Sequence, residues 1–99
     1  MITLTVLYAT PDDVEKFDEH YFGTHIPLAR AVPGLEDTKV TRFFPGPDGS
    51  APGFHLMAQL SFADSEAMGT AMSTEEGRAL AADVANLGVT PTMLVGSTE

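Results

Sequence analysis

Phe54-His55-Leu56-Met57-Ala58-Gln59-Leu60-Ser61-Phe62 sets Phe54, Leu56, Ala58, Leu60 and Phe62 on one side of an extended chain. A period of two over nine residues predicts a strand with one buried face. Ahead of it, Pro45-Gly46-Pro47-Asp48-Gly49-Ser50-Ala51-Pro52-Gly53 holds too much proline and glycine for regular structure and reads as a mobile hairpin loop. The segment Leu35–Phe44 before that loop reads as the partner strand, with mixed faces. Two strands joined this way are antiparallel neighbours at the middle of the chain.

The pattern extends outward in both directions. Ile2–Tyr8 alternates, with Ile2, Leu4, Val6 and Tyr8 on one face and Thr3, Thr5 and Leu7 on the other. Thr10-Pro11-Asp12-Asp13 then predicts a helix start, with Thr10 as the cap and Pro11 in the first helical position. Downstream, Asp64 or Ser65 opens a short helix through Met72. Ser73-Thr74-Glu75-Glu76 has the form of a capping box for a second helix, which would turn Ala79, Leu80, Ala82 and Val84 inward. Gly88 ends that helix, and Val89–Val95 reads as a last strand. Pro91 removes one ladder donor there, which places the strand at an edge or a bulge. The order β-α-β-β-α-β predicts an α+β, ferredoxin-like domain over residues 1–99 with a four-stranded antiparallel sheet. Helices would cover one sheet face. The other would be open and suited to a second copy.

Charge and composition narrow the function classes. Fourteen acids against five cations give a formal charge of −9, and Lys16, Lys39, Arg30, Arg42 and Arg78 do not cluster. Nucleic acid and anionic membranes both need clustered cations, so neither is an expected partner. With no cysteine, disulfide and thiolate chemistry are excluded. Twelve alanines make the core light, which also favours an oligomer. A cytoplasmic protein is the expectation, since no leader peptide or spanning segment is apparent.

One titratable group stands out. At about 100° per residue, Val14, Phe17, Tyr21 and His25 fall on one stripe of the first helix, facing the sheet. Pro27 lacks the N–H that would bond the carbonyl of Gly23, so the helix is expected to kink or end there and leave room beside His25. A buried imidazole at that point can serve as base, acid or hydrogen-bond donor, and Tyr21 one turn earlier can orient it. The alternative is a core histidine satisfied by a backbone carbonyl. His20 and His25 lie roughly 140° apart on a regular helix and so do not chelate from one face. His55 belongs to the polar face with Met57, Gln59 and Ser61. No metal and no cofactor are therefore expected. Arg30 and Arg42 are expected in ion pairs, Asp64 as a helix cap, and Met68 and Met72 in the core.

Phe17-Asp18-Glu19-His20-Tyr21-Phe22-Gly23-Thr24-His25-Ile26-Pro27-Leu28-Ala29-Arg30, followed by Pro33-Gly34-Leu35, resembles the EthD family of small α+β-barrel proteins. The stretch Ser73–Asn86 is similar to the segment before that family's last strand. The resemblance implies a homodimer in which two sheets pack face to face, helices outside, with a pocket between the sheet and helices of each protomer. It maps the family's histidine onto His25. The chain departs from the family pattern at Leu87-Gly88-Val89, where many relatives carry an aromatic and a longer turn.

The expected activity is His25-assisted proton transfer on a small apolar carbonyl compound, in the manner of an isomerase, cyclase or cofactor-free oxygenase. Tyr21 would act with His25, and Tyr8, Phe17, Ile26 and Leu28 would line the ligand site. The alternative is a non-catalytic dimer that binds a hydrophobic metabolite as an accessory protein.

Overall fold

A computed structural model describes residues Met1–Glu99. Its central strand is β1 (Ile2–Tyr8), flanked by β3 (Leu56–Phe62) and β4 (Thr92–Ser97), with β2 (Asp37–Arg42) outside β3. All pairings are antiparallel. Tyr8 faces Leu56, Val6 faces Ala58, Leu4 faces Leu60 and Ile2 faces Phe62. The two apolar rows read from the sequence thus coincide on one side of the sheet, where burying them supplies most of the driving force. Leu56 and Phe62 there are fully buried. β4 is an edge strand, as expected, but it starts at Thr92, just past the proline that cannot donate to a ladder.

The helices cover that apolar face. The first helical run opens with α1 (Val14–His20), whose cap is Asp13, accepting from the Lys16 N–H at 3.1 Å. This corrects the expectation of Thr10. A carboxylate immediately before the first turn satisfies an orphan N–H directly, and Pro11 lies ahead of the helix. Val14, 37% exposed, drops out of the predicted inward stripe, while Phe17, Tyr21 and His25 are buried.

Pro27 does not end the helix. Residues Tyr21–His25 form a π-helical turn, the Ile26 N–H bonding the Tyr21 carbonyl, and α2 (Ile26–Arg30) continues beyond it. The extra residue in the wide turn places Pro27 in the first turn of α2, where a missing N–H costs little.

On the second half, α3 (Ser65–Ser73) is capped by Asp64, as expected, and α4 (Glu75–Asp83) runs into a 3₁₀ turn (Val84–Leu87). The α4 cap is Thr74, which accepts from the Gly77 N–H at 3.0 Å, one residue later than the capping-box reading placed it. Ser73 still belongs to α3, its hydroxyl donating to the Gly69 carbonyl at 2.8 Å. The inward face of α4 is Gly77, Leu80 and Asp83; Ala79 and Ala82 point to solvent, contrary to expectation. The i, i+3 row of Gly77, Leu80 and Asp83 faces inward because Gly77 packs against α3 and Asp83 reaches His20 and His25. Gly88, at φ 74°, closes the run in the left-handed conformation.

Gly77 lets α4 approach α3. A Cβ there would lie 2.3 Å from the Ala71 carbonyl oxygen and 2.7 Å from the Met72 Cα, both backbone atoms that cannot swing aside. Gly77→Ala is expected to cost about 1–3 kcal/mol through forced separation of the helices. Gly69→Ala, in α3 with nothing within 4 Å of the new methyl, is expected to be neutral or slightly stabilising. Urea denaturation of both variants checks the contrast.

Opposite the helices, Thr5 and Leu7 of β1, Met57 and Gln59 of β3 and Leu94 of β4 form an uncovered face, with Leu94 55% exposed, while Thr3 at its end is buried.

Candidate active site

The π-helical turn determines which side chains meet. In a regular helix His20 and His25 would diverge. With i→i−5 bonding the turn widens, and both imidazoles reach the same carboxylate on the neighbouring helix. His20 Nε2 lies 2.9 and 3.0 Å from the two oxygens of Asp83, and His25 Nδ1 lies 2.8 Å from Oδ2. The expectation that these histidines do not share a face is thereby overturned. They meet at an acceptor, and no group of three or more His, Asp or Glu is arranged to hold a metal ion.

Asp83 comes from the end of α4, with its side chain 7% exposed. Burial is the largest influence on its carboxyl and pushes it up. Hydrogen bonds from Asn86, His25 and His20, with the charge of His20, outweigh that and hold it below the usual carboxylate range. Asp83 is therefore ionised at neutral pH and only accepts. The proton on His25 Nδ1 is fixed by that partner, which leaves the lone pair of the neutral ring on Nε2.

His25 also borders a cavity of about 150 Å³ between the sheet and the helices. Its walls are mostly apolar, with Leu4, Val6, Ala58 and Leu60 from the sheet and Ile26 and Leu80 from the helices. Tyr8 and Tyr21 also line it, each only 1% exposed. Neither hydroxyl nor His25 Nε2 bonds to another protein group, yet no fully enclosed side-chain polar atom lacks a partner. All three atoms therefore touch accessible space, and all three residues line the cavity.

The rings are fixed by one another. Tyr21 stacks on His25 at a centroid distance of 5.2 Å and on Phe17 at 5.5 Å, while Tyr8 meets Tyr21 edge-on at 5.4 Å. Burial, then the charge of Asp83, pushes the Tyr8 phenol up to about 12. Burial, then Tyr8, raises Tyr21 as well. Both phenols keep their protons at neutral pH and are donors. A base, two donors and apolar walls suit abstraction of a proton next to an oxygen that gathers charge.

Of the residues singled out from sequence, His25, Tyr21, Tyr8 and Ile26 border the cavity. Phe17 stands behind Tyr21 without reaching it, and Leu28 is half-buried against the core elsewhere. His55 does not lie on the polar sheet face. It precedes β3, and its Nε2 bonds Asp18 of α1 at 2.8 Å while its ring meets Phe17. Arg42 lies 3.8 Å from the same Asp18, whereas Arg30 is exposed and forms no ion pair. Asp83 was missed altogether. The available signal was its position three residues after Leu80 on the inward stripe of an alanine-rich helix, where an acid needs a partner.

Comparison with known proteins agrees with this architecture. The EthD domain model matches residues 10–88. An uncharacterized 11.0 kDa protein of Rhodococcus erythropolis, from the thcB-thcC intergenic region, is 39% identical over 90 residues, covering 87% of this chain and 82% of that protein. The crystal structure of an EthD-family protein from Bacillus halodurans superposes with a TM-score of 0.92 at 40% identity, covering 100% of this chain and 99% of that one. A cofactor-independent oxygenase from Streptomyces nogalater, SnoaB, shares the fold at a TM-score of 0.72 and 12% identity, with 98% and 91% of the two chains covered. A domain model that takes in the whole helical run and both histidines, and a relative alike from end to end, establish that this chain belongs to the EthD family.

Proposed function

We propose that the protein binds a small, largely apolar molecule bearing one carbonyl group and that His25 moves a proton on it. The observation that carries this reading is the placement of His25. Its Nδ1 is held by a buried carboxylate, and the residue lines an apolar cavity together with Tyr8 and Tyr21. A cavity near 150 Å³ takes a benzene-sized ring. With the carbonyl oxygen toward Tyr8 and Tyr21, His25 Nε2 would accept a proton from the adjacent carbon. The C–H electron pair would shift toward the oxygen, where the phenols donate hydrogen bonds to the developing charge. Isomerisation, cyclisation and attack on dioxygen all begin from such an enolate, and SnoaB is an instance of this fold supporting cofactor-independent oxygenation.

We propose further that the working unit is a homodimer joined through the uncovered sheet face of Thr5, Leu7, Met57 and Leu94. The light core and the exposure of Leu94 support that arrangement. The test combines native mass spectrometry with proton exchange in deuterium oxide on a panel of cyclic ketones and unsaturated lactones. A dimer that labels one class of compound next to its carbonyl is the expected result. A monomer overturns the assembly, and labelling no faster than buffer across the panel overturns the reaction.

A further inference from the structure

The second histidine on Asp83 has no part in the reaction outlined above, yet it bonds the carboxylate as closely as His25 does. His20 borders a polar hollow on the outside of the molecule, whereas His25 borders the apolar cavity within. Their side chains are 31% and 7% exposed, and Asp83 lies between them at 7%. A surface imidazole and an interior imidazole thus meet on one buried anion.

We propose that His20 is a positioning residue for His25: Asp83 balances one imidazolium at a time, so a proton gained by His25 inside the cavity is matched by one lost from His20 to solvent.

The charges around the cluster support this accounting. Asp83 Oδ1 accepts from His20 and from the Asn86 amide at 2.9 Å, and Oδ2 accepts from His20 and His25, so the carboxylate is fully committed. Tyr8 and Tyr21 contribute neutral phenols on the cavity side. Asp12, Asp13 and Lys16 surround the outer hollow, where water screens them. No second buried anion is present to balance a second cation, and an unbalanced buried charge is strongly disfavoured. Two imidazoles that compete for one carboxylate titrate as a coupled pair.

The consequence for catalysis rests on the reaction proposed above, and the step balances. The substrate C–H bond breaks, its electron pair stays on the substrate, and an N–H bond forms at His25 Nε2. At His20 Nδ1 an N–H bond breaks, the nitrogen keeps the pair and water takes the proton. The charge of the three-residue cluster is unchanged, and the reverse occurs when His25 returns its proton. Without His20, the cluster would start each turnover as an uncompensated Asp83 carboxylate and end it as a neutral pair, so its buried charge would change by one unit at every proton transfer.

Ring ¹⁵N shifts of the ligand-free protein across the pH range test the coupling directly. In the wild type, both His20 and His25 are expected to follow two-step curves. In His20→Gln, which keeps an N–H donor toward Asp83 but removes the titrating ring, His25 is expected to lose its second step. A single-step His25 curve that is identical in both proteins would overturn the proposal. If His20→Gln folds poorly, Asp83→Asn reads the same coupling from the other side: each histidine should then titrate alone, and two-step curves that persist would overturn it. Because no substrate is involved, coupling without exchange activity overturns only the proposed reaction, whereas exchange without coupling overturns only the role of His20.

Discussion

Asp83→Ala is expected to lower the folding free energy by about 3–5 kcal/mol at neutral pH, the range typical when one member of a buried charged cluster is removed. Two imidazoles and one amide lose their shared acceptor, and His25 Nδ1 loses the side-chain partner it has. A domain of this size has only about 5–15 kcal/mol in total, so the variant should be marginal. The pH dependence follows from the carboxyl itself. It is held below its ordinary value in the folded state, so the folded protein binds that proton less readily than the unfolded chain. Its contribution is complete above the unfolded value of about 4 and is lost as pH falls through the folded value. Wild-type stability should therefore decline on acidification below about pH 5, and the variant should show a shallower decline. Urea unfolding at several pH values measures both effects. A loss below 1 kcal/mol at pH 7 would mean that the histidines find water or other acceptors without cost.

The sheet was legible in the sequence because a period of two leaves a strand little choice. Ile2, Leu4, Val6 and Tyr8 and the row Leu56 to Phe62 each specify a buried face, and only one register joins them. Helix starts were less legible. Thr10-Pro11-Asp12-Asp13 offers three capping side chains, and the choice of Asp13 depends on where α1 must meet the sheet. His25 was found because a histidine on an apolar stripe is conspicuous. Its partners were not, for two reasons. Angular arithmetic assumed a regular helix, and a single π-helical turn rotates His20 into line with His25. An acid among alanines also reads as a solvated position, so Asp83 gave away its burial only once α4 had been placed against the first helical run. The cavity belongs to no single segment. Small residues such as Ala29 of α2, Ala58 of β3 and Ala81 of α4 line it together with Tyr8 and Tyr21.

His25→Gln is expected to slow proton exchange on a responsive carbonyl compound by 10²–10⁴-fold, roughly 3–5 kcal/mol of transition-state free energy, while changing ligand affinity only a few-fold. Glutamine approximates the reach of the imidazole and can donate its amide N–H to Asp83, so the wall of the cavity is largely kept. What it lacks is a nitrogen that accepts a proton near neutral pH. The apolar walls and the phenols of Tyr8 and Tyr21 remain to bind the ligand and its oxygen. Binding and turnover therefore separate in this variant, which is the signature of a group acting in the reaction rather than in the shape of the site. Exchange rates in deuterium oxide, set beside ligand titrations of the same preparations, give the two numbers. Exchange that survives the substitution would move the base to another group, whereas an equal loss in affinity and rate would make His25 a wall of the pocket and return the protein to the role of a binding dimer.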